Sequence, residues 1–312
     1  MAEIPTRQLG RTGVQVTTLG YGAMELRGAP RGRDVPEAQA ERILNTVLDA
    51  GINFIDTSID YGVAEERIGK YISHRRDEYF LATKAGCLSG PLLDNPPPAP
   101  ANGRGFPHVF TPENIIRGVE QSLTRMKTDY VDLLQFHASP SKAQLLEHGA
   151  LECVQDLKKQ GKVRWIGISG TIPNLKDHIE MGVFDEFQIP YSAMEREHEQ
   201  LIVAASQAGA GIVIRGGAAK GGPGKEEGAA WDKWQEVDLS DLMDGMSRQE
   251  FILRFTISHP HMDTTIVGTV NPDHLNDNVE AVLHGVLAAD VYEEAKRRLA
   301  SAGLQPVAIE AV

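Results

Sequence analysis

The chain has 312 residues, long for a single domain but within the range of one α/β barrel, with ordinary apolar (41%) and charged (24%) fractions. Its formal net charge of -12 argues against nucleic acid or an anionic membrane as a partner. Two cysteines, Cys87 and Cys153, make no disulfide framework, and neither an apolar leader nor a bilayer-length stretch is present, so a cytoplasmic protein is expected.

In chain order, Arg7–Val16 reads as a hairpin around a Gly-rich turn, and Thr17–Gly20 as a first buried strand. A helix is expected from about Pro36, capped by Asp34, with Ala40, Ile43, Leu44, Val47 and Leu48 at helical spacing and Gly51 as its stop. Further strands are expected to end near Asp56, Lys84, His137, Ser169, Ile189, Arg215 and Val267. Between them lie helical patterns. One opens at Thr111-Pro112 with Ile115, Ile116, Val119, Leu123 and Met126 on one face; another opens at Ser247 with a capping box to Glu250; a third opens at Asn271-Pro272. Asp290–Ala302 is a further helix. Counted from residue 17 this is about eight β/α units, the number that closes a parallel barrel. The expected fold is an α/β (β/α)8 TIM barrel, spanning approximately residues 17–285, with an N-terminal β-hairpin and an extra C-terminal helix. No break resembles a linker, so residues 1–312 read as one domain. An open doubly wound sheet is disfavoured, because no Gly-x-Gly-x-x-Gly follows an early strand.

Four chemistry-bearing residues fall at or just beyond strand ends: Asp56, Tyr61, Lys84 and His137. In a barrel the carboxyl ends of the strands build the site. An acid, a phenol, an ammonium and an imidazole converging there suit reduction of a carbonyl. Tyr61 gives a proton to the oxygen, Lys84 lowers the phenol's pKa, Asp56 holds Lys84, and His137 orients the carbonyl. Side chains supply no hydride, so a nicotinamide cofactor is required.

Several segments then resemble the aldo-keto reductase family, nearly end to end. They are Arg7-Gln-Leu-Gly-Arg-Thr-Gly13, Leu19-Gly-Tyr-Gly-Ala-Met24, Gly51–Gly62, Ala82-Thr-Lys84, Thr128–His137, Gly161–Ser169, Gln188-Ile-Pro-Tyr191 and Gly268–Asn278. The resemblance implies NADPH, with NADH as the alternative, lying across the barrel mouth, and a small-molecule carbonyl substrate. It implies catalytic roles for Asp56, Tyr61, Lys84 and His137. It implies that Ser169 and Gln188 hold the nicotinamide carboxamide and that Tyr191 stacks on the ring. The remaining implied cofactor contacts are Gly22, Ala23, Met24, Asp56, Gly268, Thr269, His274, Asp277 and Asn278.

Three positions depart from the family pattern: Gly170 stands where Asn is usual, Arg215-Gly216-Gly217-Ala218 replaces a Ser-Pro-Leu-like turn, and neither Gly268 nor His274 is a permanent cation. Gly216 and Gly217 are expected to let the backbone approach the cofactor's pyrophosphate, with Arg215 or Lys220 to neutralise it. Two rival functions remain. One is a Schiff-base aldolase using Lys84; the other is a cofactor-binding redox-sensing subunit. No metal set is expected, since His259-Pro-His261 has nothing nearby to complete a tetrahedron. Cys87–Phe110, rich in proline and glycine, is a long loop expected to bear on specificity, with Phe106, His108 and Phe110 as a candidate aromatic wall.

Overall fold

Strand alternation explains both the closure of the sheet and what fills it. The computed structural model describes residues 3–30, 32–98, 107–218 and 234–308. Within them, eight parallel strands form a closed barrel in the order β10-β3-β4-β5-β6-β7-β8-β9. The strands are β3 (Leu19–Gly22), β4 (Phe54–Asp56), β5 (Phe80–Ala85), β6 (Val131–Phe136), β7 (Val163–Ser169), β8 (Glu186–Pro190), β9 (Gly211–Arg215) and β10 (Thr264–Val267). Most are buried on both faces, as parallel strands covered by helices must be, and so read as near-continuous apolar runs.

Side chains two apart share a face. One face of β5 therefore carries Phe80, Ala82 and Lys84, and one face of β6 carries Leu133 and Gln135. Phe54, Phe80, Ala82, Leu133 and Val213 form an apolar cluster with Leu9 and Val16 of the N-terminal hairpin. The hairpin pairs β1 (Thr6–Gln8) with β2 (Gln15–Thr17) and is tied to the barrel floor. Arg7 donates to the carbonyls of Ile257, His259 and Met262, and Arg11 to that of Phe184. One step further along β4, β5, β6 and β8, the same alternation places Asp56, Lys84, Gln135 and Gln188.

Helices cover the outside. Helix Glu37–Asp49 buries Ala40, Ile43, Leu44, Val47 and Leu48, and helix Pro112–Met126 buries Ile115, Val119, Leu123 and Met126. The C-terminal helix Ala289–Ser301 packs Tyr292, Ala295 and Leu299 onto the barrel. No helix among the described residues is long and apolar enough to cross a membrane.

Four local expectations are corrected. The first barrel strand begins at Leu19, because Thr17 belongs to the hairpin. The first long helix takes Pro36 as its N-cap, with no side-chain cap from Asp34. Ile116 faces outward, 45% exposed, since it lies off the 3.6-residue stripe of its neighbours. Ser247 does cap its helix through the backbone N–H of Glu250, but the reciprocal half of the box does not form.

Glu186 is fully buried inside the barrel, and neither carboxyl oxygen has a hydrogen-bond partner among the described residues. It fills the space left by Gly167, where a Cβ would come within 2.1 Å of Glu186 Oε2. Burial first, then the neighbouring Asp56 carboxylate, pushes its pKa well above the carboxylate range. The folded state therefore keeps a proton that the unfolded chain loses above pH ~4.3, so this group's contribution to stability falls as pH rises from there. Glu186→Gln cannot titrate. Its melting temperature relative to the unsubstituted protein is expected to climb steadily from pH 5 to pH 8. A difference that stays flat with pH would show Glu186 to be ionised in the fold.

Candidate active site

The carboxyl ends of the strands carry a connected polar cluster. Lys84 Nζ, its side chain wholly inaccessible, lies 2.5 Å from Asp56 Oδ1 and 3.0 Å from the carbonyl of Thr57. The same Asp56 oxygen accepts from Gln188 Nε2 at 2.9 Å and Gln135 Nε2 at 3.2 Å. Ser169 Oγ donates to Gln188 Oε1 at 3.1 Å. Strand register makes this possible, pairing Lys84 with Gln135 and Ser169 with Gln188. A buried carboxylate is tolerable only with such partners.

Tyr61 lies in the turn between β4 and helix Ala64–Tyr71. Its N–H bonds to the Ser58 carbonyl, and its carbonyl accepts from Ala64. Its ring meets the His137 ring edge-on at 6.2 Å, and Lys84 Nζ is 5.9 Å from its centroid. Burial first, then Asp56, Asp60 and Cys87, holds the phenol's pKa well above its ordinary value, while Arg215 pulls it down. Burial therefore outweighs the lowering expected at this phenol; the leading cation acting against it is Arg215, while Lys84 is engaged by Asp56 as expected. A phenol so held is protonated at neutral pH.

His137 follows β6, and its N–H extends the ladder to the Ala85 carbonyl. Ala138 and Ser139, next in line, adopt left-handed backbone at φ 61° and 50°. Ser139 is anchored through hydrogen bonds with Ser169 and Thr171. Burial pushes the imidazole's pKa down, assisted by Lys84, His108 and Arg215 and opposed by Asp60. His137 is accordingly a neutral ring.

The expected cofactor contacts divide. Gly22, Ala23 and Met24 close β3 and open the short 3-10 turn Ala23–Leu26 at the barrel mouth. Ser169 and Gln188 point into the mouth, and each retains hydrogen-bonding capacity beyond the bonds described. Gly268 and Thr269 follow β10. His274, Asp277 and Asn278 lie on helix Pro272–Leu283, which is capped by Asn271 accepting from the Asp273 N–H. Lys220 and Phe106 lie outside the described residues.

Two readings change. Tyr191 has no exposed surface; its hydroxyl meets that of Tyr292 at 3.0 Å, and its ring packs on Phe255 and His259. A ring that stacks on nicotinamide needs a bare face, so Tyr191 is a packing residue. Gly217 is required by packing: a Cβ would lie 2.1 Å from Thr265 Oγ1. Its carbonyl accepts from Thr256, so it makes no case for close approach of a pyrophosphate. Arg215, expected at the pyrophosphate, lies at the end of β9 with Glu195, Tyr61 and Asp56 as its electrostatic neighbours, and its Nε has no partner among the described residues. Gly170 replaces the usual Asn where a Cβ would meet Leu175 at 2.7 Å.

Gln135 and Asp60 escaped the sequence reading of the site, and Cys87 and His108 were expected only as a cysteine following the Lys84 strand and as part of an aromatic wall. Gln135 was signalled by its two-residue offset from His137. The grouping of Asp60, Cys87 and His108 was not, because a loop return brings His108 beside Cys87 in an antiparallel bridge.

The cofactor fits on the chain's own evidence. Gln135 Oε1 and Arg215 Nε are unpartnered polar atoms at the mouth, and a capped helix N-terminus follows β10.

The model of the Aldo/keto reductase family matches residues 18–299. An uncharacterised oxidoreductase of Bacillus subtilis, YqkF, is 27% identical, with 88% of this chain and 90% of that protein covered. L-galactose dehydrogenase of Arabidopsis thaliana is 26% identical, with 90% and 89% covered. Among solved structures, the holo form of aldo-keto reductase AKR11C1 from Bacillus halodurans superposes with a TM-score of 0.80 at 27% identity, covering 95% of this chain and 96% of that one.

Removing one partner of the buried pair should be costly. Lys84→Met is expected to lose about 3–5 kcal/mol of stability, with partial recovery in the Lys84→Met/Asp56→Asn double variant. Denaturant unfolding of the three variants measures this. A loss below about 1 kcal/mol would show that the pair is effectively solvated.

Proposed function

The chain belongs to the aldo/keto reductase family and is an oxidoreductase, and from that premise we propose that it reduces an aldehyde or ketone to an alcohol with NAD(P)H. The observation that carries this reading is the gathering of Asp56, Tyr61, Lys84 and His137 at one end of the barrel.

Bound NAD(P)H supplies the hydride to the carbonyl carbon. The protein's residues manage the oxygen. Tyr61 carries its proton at neutral pH, and an alkoxide is more basic than a phenolate, so the phenol's proton moves to the oxygen as negative charge develops there. The phenolate left behind regains a proton from solvent. His137, neutral, offers a ring N–H to the same oxygen without adding a charge that would have to be neutralised. Lys84 and Asp56 form the floor against which these groups are set. Arg215 adds positive potential at the point where the oxyanion forms.

Ser169 and Gln188 are assigned to the nicotinamide carboxamide. The cofactor is assigned as NADPH, with His274 and the N-terminal turn of helix Pro272–Leu283 nearest the adenosine end. The aldolase alternative needs an amine with a free lone pair, whereas Lys84 donates to both Asp56 and the Thr57 carbonyl.

Tyr61→Phe is expected to bind cofactor with unchanged affinity and lose about 10²-fold or more in turnover. Retained turnover would remove Tyr61 from its role. Michaelis constants for the two cofactors test the second assignment. NADPH is expected to have the lower value, and a tenfold advantage for NADH would reverse it.

A further inference from the structure

Behind the His137 ring, on the side of the Nδ1 atom, four potential metal ligands from four chain segments converge. Cys87 Sγ lies 3.2 Å from His137 Nδ1, His108 Nε2 lies 3.2 Å from it, and Asp60 Oδ2 lies 3.8 Å from it. The ligand atoms of Asp60, Cys87, His108 and His137 all fall within 4.8 Å of one another. One imidazole nitrogen has a single lone pair or a single proton, so it satisfies one hydrogen-bond partner and not three. Such crowding is the geometry of groups sharing a common centre. Zinc bonds of about 2.0–2.3 Å, set tetrahedrally, separate their ligand atoms by about 3.3–3.8 Å. The separations of 3.2, 3.2 and 3.8 Å from His137 Nδ1 lie close to or within that spacing, and no pair of ligand atoms exceeds 4.8 Å.

We propose that Asp60, Cys87, His108 and His137 form a binding site for a zinc-class divalent transition metal ion. The donor set is one thiolate, two imidazoles and one carboxylate. It carries two negative charges when coordinated and so neutralises a divalent ion. Its soft sulfur and nitrogen donors select zinc-like ions over magnesium or calcium. Outer contacts hold the ligands in place. Ser58 Oγ bonds Asp60 Oδ1 at 2.5 Å and lies 3.4 Å from Cys87 Sγ. The Cys87 carbonyl accepts from Asn114 Nδ2 at 2.9 Å, and the Val109 N–H bonds the Gly86 carbonyl at 2.8 Å, which fixes the strand carrying His108. Support of this kind is what metal ligands require. A cavity of ≈ 220 Å³ lined by Asp60, Cys87 and Pro107, among others, gives a route in.

Coordination through Nδ1 leaves the ring proton on Nε2. On the reductase reading, a metal there would fix the tautomer of His137 while keeping it a hydrogen-bond donor. Metal binding itself does not rest on that reading and is measured without substrate.

The test uses the full chain, stripped with a chelator and titrated with cobalt(II), then with zinc(II) as competitor. One equivalent of cobalt is expected, with intense tetrahedral d–d absorption and a thiolate-to-cobalt charge-transfer band, both erased by zinc. Cys87→Ser should abolish the charge-transfer band. His108→Gln, placed on a loop outside the barrel core, should weaken binding by about 100-fold or more, beyond the usual loss on removing an outer contact. Far-ultraviolet circular dichroism establishes that each variant is folded. Absence of stoichiometric binding, an octahedral spectrum, or a charge-transfer band that survives Cys87→Ser in folded protein would overturn the proposal.

Discussion

The contact between Lys84 and Asp56 is the constraint around which the rest is arranged. Two opposite charges sit in the barrel mouth with almost no access to water. Charges so placed cost several kcal/mol each unless their remaining valences are met. Gln135 and Gln188 meet those of Asp56, the Thr57 carbonyl meets one of Lys84, and Ser169 steadies Gln188. Five segments of chain are thereby locked into one register. The pair is consequently better understood as a fixed electrostatic floor than as a source of net stability. Tyr61 and His137 stand above it, one kept protonated and the other kept neutral by the same burial.

Much of this was legible in the sequence because a parallel barrel obeys a simple code. Short apolar strands buried on both faces, capped helices between them, and functional groups where each strand stops locate the mouth without any structure. Phe80-Leu-Ala-Thr-Lys84 shows the code in miniature: two apolar inward positions, then a lysine at the third. The terminal hairpin and helix were equally plain, since both lie outside the repeat.

What stayed hidden depends on contacts between distant segments. Tyr191 looked like a stacking ring, but the C-terminal helix brings Tyr292 against it and leaves it no open face. Gly217 looked like a phosphate glycine, yet its missing Cβ makes room for Thr265. The grouping of Asp60, Cys87 and His108 around His137 had no one-dimensional trace, because the His108 segment returns to the barrel through a single bridge to Cys87.

The central claim is that this mouth delivers a hydride to carbon and a proton to oxygen. The most direct measurement is a single turnover of an aldehyde with reduced cofactor deuterated at the transferring position of its nicotinamide ring. Mass spectrometry then reads the label in the product. The account predicts an alcohol carrying one deuterium on the carbinol carbon, formed in step with cofactor oxidation. An unlabelled product, or an aldehyde captured as a borohydride-reducible adduct on Lys84 with the cofactor untouched, would contradict it.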